Sequence, residues 1–402
     1  MKSIKPNTWI ELNQTALLSN IHNVKKITRN TSLGFVVKSN AYGHGIVPVS
    51  TVLETIPEVA WLFTIGFQEG CTLRARGITK KILALGYHDL ELQEAIIHDI
   101  DIPITYPDKA LADYINQQAQ TNMHKASIHL KIETGLGRLG FAEHEVLAFA
   151  QYIKEHCPWI NLRGIYTHLS DPNNEDLTYT YHQLAIFNRV LQTLQQHNIH
   201  IPYTHVLASG SLFLPFPNKP EYNYSTVRIG GNLYGFWKSE LQKKRFQEID
   251  PTIELHPVLS WKTQIVHLGY HPKDSSIGYA RSFTAKRDSI IAILPVGYTD
   301  GYPRILSNNA HVWVNGVLAP IAGMVSMNLM AIDVTEVPNI AIGTEVTLIG
   351  QHQGVTADEL AKRAGTINNE LVTRLNPGIA RQMVLQPINE VYDHDQASIA
   401  RI

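Results

Sequence analysis

Leu33-Gly34-Phe35-Val36-Val37-Lys38-Ser39-Asn40-Ala41-Tyr42-Gly43-His44-Gly45 is the stretch on which the reading of this chain turns. An apolar run ends on Lys38 and gives way to a polar, glycine-bearing segment. Read as a strand over 33–38, it puts a lysine at the strand's C-terminal end, where barrel enzymes keep their catalytic groups. Among apolar strand ends, desolvation lowers an amine's pKa and makes it a nucleophile towards a carbonyl. A bare strand-end lysine is more often a surface residue, so the surrounding chain has to support the chemical reading.

Outward from this segment, short apolar runs alternate with longer amphipathic ones up to about residue 240. Strands are expected at 33–38, 61–66, 80–86, 99–106, 125–133, 161–168, 203–209 and 226–233. Helix patterns, with Leu, Ile and Ala at helical spacing, are expected at 90–98, 108–121, 144–156 and 180–197. Strands alternating with helices imply parallel pairing, and eight of them suggest a closed (β/α)8 TIM-type barrel over residues 1–245. An open doubly wound sheet is the alternative. After residue 245 the texture turns β-rich, in segments 257–268, 289–296, 311–314, 317–322, 329–334 and 343–350. Turn signals such as Asn315-Gly316 separate them, and one helix pattern, 356–364, interrupts them. A second, mostly β domain is therefore expected over 246–402, beginning near 246–256. The alternating run Trp9-Ile10-Glu11-Leu12 could pair with either domain.

With 402 residues, 44% hydrophobic and 17% charged, the composition is globular, and the length suits two domains or a large barrel with an appendage. A net charge of -1 offers no broad attraction to nucleic acid or to an anionic membrane. Cys71 and Cys157 cannot form a disulfide framework and lack the spacing of a zinc site, so no metal is expected and a reducing compartment fits. The polar N-terminus has no signal-peptide core, and no apolar run is long enough for a membrane span. The expected location is cytoplasmic.

The string Val36–Gly45 closely resembles the cofactor-lysine motif of the alanine racemases, a fold-type III pyridoxal-phosphate family. The resemblance spans nearly the whole chain, because further signatures follow in order. Lys131-Ile132-Glu133-Thr134-Gly135-Leu136-Gly137-Arg138-Leu139-Gly140 matches the fifth-strand motif, and Val227-Arg228-Ile229-Gly230-Gly231-Asn232-Leu233-Tyr234-Gly235 the eighth-strand motif. Ile277-Gly278-Tyr279, Pro295–Arg304 and Gly323-Met324-Val325-Ser326-Met327-Asn328 fall in the β-rich part.

The resemblance implies a homodimeric isomerase that interconverts L- and D-alanine for cell-wall peptidoglycan, with pyridoxal 5'-phosphate held by Lys38 as a Schiff base. It gives Tyr42, Ser209 and the amides of Gly230 and Gly231 to the cofactor phosphate. It sets Arg228 against the pyridine nitrogen. Arginine has no acceptor and stays charged, so the ring is kept unprotonated and is a weaker electron sink, which suits proton exchange over transamination. A racemase must exchange the α-proton on opposite faces of one planar centre, so two bases are the simplest design. Lys38 and Tyr279 fill these roles by resemblance, with His168 linking Tyr279 to Arg228. Arg138 and the Met327 backbone N–H are implied for the substrate carboxylate. Lys131 matches a lysine that is often carbamylated and orients that arginine, though a plain lysine paired with an acid is the alternative there. Tyr279, Tyr298 and Met327 are expected to reach the site from the partner subunit.

Four positions depart from the family pattern. Asn369 replaces a tyrosine that touches the phosphate and narrows substrate access, which opens the possibility of serine or broader specificity. Ala208 stands for asparagine, Asn328 for aspartate, and Met324 for an arginine of the access corridor. Two readings from other classes compete: a fold-type III decarboxylase, disfavoured by Arg228, and a non-catalytic pyridoxal-phosphate carrier, disfavoured by the β-rich part with Tyr279 and Met327.

Overall fold

The computed structural model describes residues 7–28, 31–87, 92–214 and 224–388. Residues 90 and 91, the start of the helix expected at 90–98, lie outside these. Contacts between Cα atoms divide the chain into two compact units. One holds Asn20–Ala41 and Val49–Leu255; the other holds the chain up to Ser19, Tyr42–Pro48 and everything from His256 onward.

The first unit is an eight-stranded parallel sheet. Its strands are β1 (Ser32–Val36), β2 (Val59–Thr64), β3 (Lys81–Ala84), β4 (Ile100–Ile104), β5 (Ala126–Lys131), β6 (Ile160–Tyr166), β7 (Tyr203–His205) and β8 (Thr226–Ile229). They pair in sequence order, and β8 returns to β1 with Gly34 opposite Arg228. The ring closes where the Arg228 N–H donates to the Leu207 carbonyl at 2.9 Å and Ala208 bridges Arg228. Helices Phe67–Ala75, Leu92–Ile97, Lys109–Thr121, Val146–His156 and Thr178–Gln196 alternate with the strands. This is the (β/α)8 barrel, and the open-sheet alternative falls on the closure.

Parallel strands covered on both faces are continuously buried, as β4 and β5 are along their whole length. Gly34 is required inside β1, because a Cβ there would lie 2.4 Å from the Phe63 ring and 2.9 Å from the Val227 carbonyl. The division between the units falls at Leu255/His256. Helix Glu240–Ile249, capped by Ser239, keeps Phe246 against Trp237 and sends the Gln242 amide to the Ser209 carbonyl, which ties it to the barrel.

The second unit is strand-rich. A six-stranded sheet runs in the order Val317–Pro320, His311–Val314, Glu345–Ile349, Leu259–Gln264, Thr8–Asn13 and Ala380–Val384. The run Trp9–Leu12 therefore belongs here, antiparallel to Leu259–Gln264 and parallel to Ala380–Val384. Asn315 and Gly316, with φ of 47° and 85°, make the two-residue turn between the first two strands of that order. A three-stranded sheet joins His267–His271, Ser289–Leu294 and Met330–Asp333. A two-stranded hairpin, Ser276–Ile277 with Phe283–Thr284, carries Tyr279 in its connection. The helix expected at 356–364 forms over Ala357–Arg363 behind a Thr356/Glu359 capping box.

Candidate active site

Lys38 follows β1 directly, at the strand's C-terminal end. The next four residues, Ser39, Asn40, Ala41 and Tyr42, all take left-handed conformations with φ between 53° and 55°. None is glycine, and each such residue costs about 1–2 kcal/mol. Strain of this kind persists only where neighbours over-determine it. Here the Ala41 N–H donates to the Val37 carbonyl at 2.8 Å and the Asn40 N–H to Glu69 Oε1 at 3.1 Å. Glu69 Oε2 also accepts the Ile65 N–H at 2.9 Å, which anchors the carboxylate to the end of β2. Burial holds the Lys38 amine below its ordinary pKa, Arg138 and Arg228 push the same way, and Glu69 opposes them. Sequence reading missed Glu69, since nothing local marks a contact across 29 residues.

Arg228, on β8, is buried. Its NH1 donates to His205 Nδ1 at 2.8 Å and to the His205 carbonyl at 2.7 Å. Its NH2 reaches the Thr167 carbonyl at 2.6 Å, the Val206 carbonyl at 3.2 Å and His168 Nδ1 at 3.3 Å. The Nε–H meets no acceptor among the described residues. Burial lowers this guanidinium to about 10, which leaves it charged at neutral pH. The link from Arg228 to His168 implied by the motifs is thus present as a contact.

His168 is pushed down to about 3 by burial, then by Arg228, Arg138, Lys131 and Lys38. His205 is also held well below the ordinary histidine range, by burial and then by Arg228 and His129. In the unfolded chain both would titrate near ~6.5. Below that pH the unfolded chain takes up protons that the fold refuses, so stability falls as pH drops from about 6.5 towards 3. Thermal unfolding midpoints should decline between about pH 7.5 and 5, and His168→Gln should flatten the decline. An identical slope in the variant would refute the assignment to His168.

Lys131 ends β5 and is buried. Its amine is pushed down to about 8 by burial, with Arg138 and Arg228 adding to the effect. The following loop is tied by Glu133, whose carboxylate accepts the Gly135 N–H at 2.6 Å and the Arg138 N–H at 3.0 Å. Gly135, Gly137 and Gly140 have positive φ there, so the glycines of this motif serve the turn that presents Arg138.

After β7, the Ser209 hydroxyl oxygen accepts the Gly230 N–H at 2.9 Å, leaving its own proton to donate. Gly231 lies beside Lys238: a Cβ on it would sit 3.3 Å from Lys238 Cε and 3.4 Å from Nζ. Burial lowers the Lys238 amine, and Lys38 adds to the effect. Sequence reading passed over Lys238, although it stands just beyond the glycine motif. A hydroxyl, glycine amides and an amine suit a phosphate, and the desolvated Lys38 suits an aldehyde. These residues fit pyridoxal 5'-phosphate.

The remaining positions belong to the strand-rich unit. Gly43, after Tyr42, packs so tightly on helix Asn368–Thr373 that a Cβ would lie 1.9 Å from the Val372 carbonyl. Tyr42 is pushed up to about 12 by burial. On that helix, Asn369 Oδ1 is buried and has no hydrogen-bond partner among the described residues. Tyr298 and Met327 come together where the Tyr298 N–H donates to the Ser326 carbonyl and the Thr299 N–H and hydroxyl to the Met327 carbonyl. Asn328 Nδ2 donates to Thr299 Oγ1 at 2.8 Å and braces this turn without a charge. Gly278, with φ of 75°, packs against Gly323 and Met324 beside Tyr279. Tyr279, Met327 and Tyr298 are 71%, 55% and 42% exposed.

Comparison with known proteins covers both units. Residues 12–237 match the family model "Alanine racemase, N-terminal domain", and residues 258–383 match "Alanine racemase, C-terminal domain". The alanine racemase of Halothermothrix orenii is 35% identical over 384 residues, 95% of this chain and 98% of that protein. The solved alanine racemase of Clostridium difficile 630 superposes with a TM-score of 0.86 at 30% identity, covering 97% of this chain and 100% of that one. The alanine racemase of Bacillus anthracis, solved with bound L-Ala-P, gives a TM-score of 0.82 at 27% identity over 98% of this chain and 99% of that one. No helix among the described residues is long and apolar enough to cross a membrane. Neither Cys71 nor Cys157 takes part in a disulfide.

Proposed function

This chain belongs to the alanine racemase family, and from that premise we propose that it interconverts L- and D-alanine with pyridoxal 5'-phosphate, supplying D-alanine for cell-wall peptidoglycan. Membership makes it an amino-acid racemase; the cofactor, the two-base chemistry and the shared dimeric site are the parts proposed. The observation that carries the reading is the Lys38 amine at the C-terminal end of β1, desolvated by burial and in the electrostatic field of Arg138 and Arg228.

Pyridoxal 5'-phosphate, when bound, would supply the electron withdrawal that acidifies the substrate's α-hydrogen. Lys38 is the attachment point and takes or returns the α-proton on one face. Tyr279 does so on the other, reaching in from the partner subunit together with Tyr298 and Met327. An unassisted phenol is a poor base, with a pKa near ~10. His168, kept neutral beside Arg228, is the group set to steady its proton. Arg138 and the Met327 N–H, which has no acceptor among the described residues, take the carboxylate of a small amino acid. Tyr42, Ser209 and the Gly231 amide take the phosphate, with Lys238 adding charge; the Gly230 amide, which the motif also gave to the phosphate, donates instead to Ser209 Oγ and frees that hydroxyl's proton for it. Arg228 offers only donors to the ring nitrogen, so it pairs with the lone pair of an unprotonated ring and would face a ring N–H donor to donor. Lys131, pushed down to about 8, holds a larger neutral fraction than an ordinary lysine, and it is the neutral amine that adds CO2 and turns a cation into an anion in the field of Arg138. A mass gain of one CO2 at Lys131 in intact protein, lost in Lys131→Gln, would be the mark of that change.

Purified protein loaded with the cofactor should convert L-alanine to D-alanine. No D-product from either L-alanine or L-serine would sink the racemase mechanism. Serine is favoured as a second substrate by one observation, the buried and unpartnered Asn369 Oδ1, which could accept a substrate hydroxyl. Asn369→Tyr should lower serine turnover roughly tenfold more than alanine turnover, since an unmet polar partner in a built site weighs more than a methyl-sized difference. An equal loss for both substrates would remove serine from the reading.

A further inference from the structure

Behind Arg228 the hydrogen bonds continue through the barrel interior. His205 Nε2 lies 3.0 Å from His129 Nδ1, and His129 Nε2 lies 2.8 Å from Asp101 Oδ2. Asp101 Oδ1 accepts from Arg163 NH1 at 2.8 Å. His205 is 1% exposed, and His129 and Asp101 are fully buried, so these bonds are shut off from bulk solvent. The groups come from β8, β7, β5, β4 and β6 in turn. None of them carries substrate or phosphate in the mechanism above.

The direction of every bond follows from one fact. Arginine has no acceptor, so His205 Nδ1 must accept from Arg228 NH1. A neutral His205 then bears its proton on Nε2 and donates it to His129 Nδ1. His129 in turn bears its proton on Nε2 and gives it to the Asp101 carboxylate. A proton added to either ring would set two donors face to face. The depressed basicity of His205, caused first by burial, agrees with this arrangement.

The packing is built around the two rings. Tyr166 stacks on His205 at 4.8 Å and 5°, and Trp61 meets His129 edge-on at 5.2 Å. Gly164 on β6 leaves the space for His129, because a Cβ there would come within 2.0 Å of Nδ1. Every strand taking part has given up apolar filling to hold a polar line. A fully satisfied buried network of this kind fixes geometry more tightly than separate pairs.

We propose that His205, His129 and Asp101 form a positioning relay that orients Arg228 towards the ring nitrogen of the bound cofactor and thereby suppresses transamination during racemisation. Asp101, charged and paired with Arg163, polarises the line; His129 and His205 pass a fixed donor direction to the guanidinium. With NH1 and NH2 engaged, Nε–H is the donor left for the ring. This inference rests on the reading of Arg228 as the ring-nitrogen partner. A loosened guanidinium lets the ring gain a proton and become a better electron sink. Alanine's nitrogen then passes to the cofactor, the α-proton moves to the cofactor's aldehyde carbon, and water releases the alanine skeleton as pyruvate.

The test uses cofactor-loaded enzyme labelled with 15N at the ring nitrogen. His205→Phe keeps the face stacked on Tyr166 but removes both ring nitrogens. It should lower kcat for alanine about 10- to 100-fold, as loss of outer groups that orient an inner partner does elsewhere. KM should change less than about threefold, pyruvate formed per racemisation should rise about tenfold, and the 15N signal should shift towards the protonated position. His205→Gln, which retains one acceptor and one donor, should recover kcat and the 15N signal to within about threefold of the parent. Asp101→Asn, remote from Arg228, should move the signal and the pyruvate ratio in the same direction, and serves if His205→Phe does not fold. Arg228→Lys is the control for the reading beneath. If it moves both readouts and Asp101→Asn and the folded His205 variant move neither, the relay is overturned. If Arg228→Lys moves neither, the ring-nitrogen role falls first and takes the relay with it.

Discussion

Lys38→Ala is expected to reduce racemisation of either alanine enantiomer by about 10⁴-fold or more, because attachment of the cofactor and one of two proton transfers are lost together. The loss should be chemical rather than a failure to fold. The left-handed turn begins after Lys38 and is held by the Val37 carbonyl and by Glu69, none of which the substitution removes. The variant should therefore fold with the parent's circular dichroism yet lack the visible absorbance that cofactor gains on bonding to an amine. Added methylamine should return part of that absorbance and part of the exchange on the face Lys38 serves. A Lys38→Ala protein that still racemises within about tenfold of the parent would end the assignment of Lys38.

Tyr279→Phe should be nearly as damaging but one-sided. Removing one general base costs about 10²- to 10⁴-fold, and here it removes exchange on a single face. In deuterated water the variant should still wash the α-hydrogen out of one alanine enantiomer, through Lys38, while exchange into the other almost stops. Equal loss from both enantiomers would mean that Tyr279 is no base. The pair of variants also tests the shared site. If Tyr279 serves the partner subunit, randomly mixed Lys38→Ala and Tyr279→Phe chains place one intact site in each mixed dimer, and roughly a quarter of the parent activity returns. Mixing that restores nothing would put Lys38 and Tyr279 of one chain in one site.

Much of this was legible beforehand. All eight barrel strands lie where the apolar runs put them, since parallel strands buried on both faces leave an uninterrupted signal. The turn at Asn315-Gly316 and the helix at Ala357–Arg363 carry their determinants within a few residues. The boundary between units was less legible. Helix Glu240–Ile249 reads as a plain amphipathic segment, and its place in the barrel unit depends on Phe246 and Gln242 meeting residues supplied by the fold. Asn369 stood out by identity alone, yet its unpartnered oxygen is a property of its surroundings.

The sequence by itself determined the residue types that the proposed chemistry draws on: Lys38 at a strand end, Arg228 before its glycines, Arg138 in its looped motif, Tyr279 beyond Gly278. Those are short-range facts, written in neighbouring positions and in the order of motifs. Only the tertiary structure decided what each group is bonded to. The left-handed turn held by Glu69, the approach of Lys238 to Gly231, and the line from Arg228 through His205 and His129 to Asp101 join residues from separate strands and helices. His129 and His205, beside apolar neighbours in Ile128-His129-Leu130 and His205-Val206, were passed over in the sequence, and their burial is a finding of the structure. Which partner satisfied each, and in which direction its proton pointed, followed only when closure of the barrel removed water and left every buried donor to find an acceptor inside the protein.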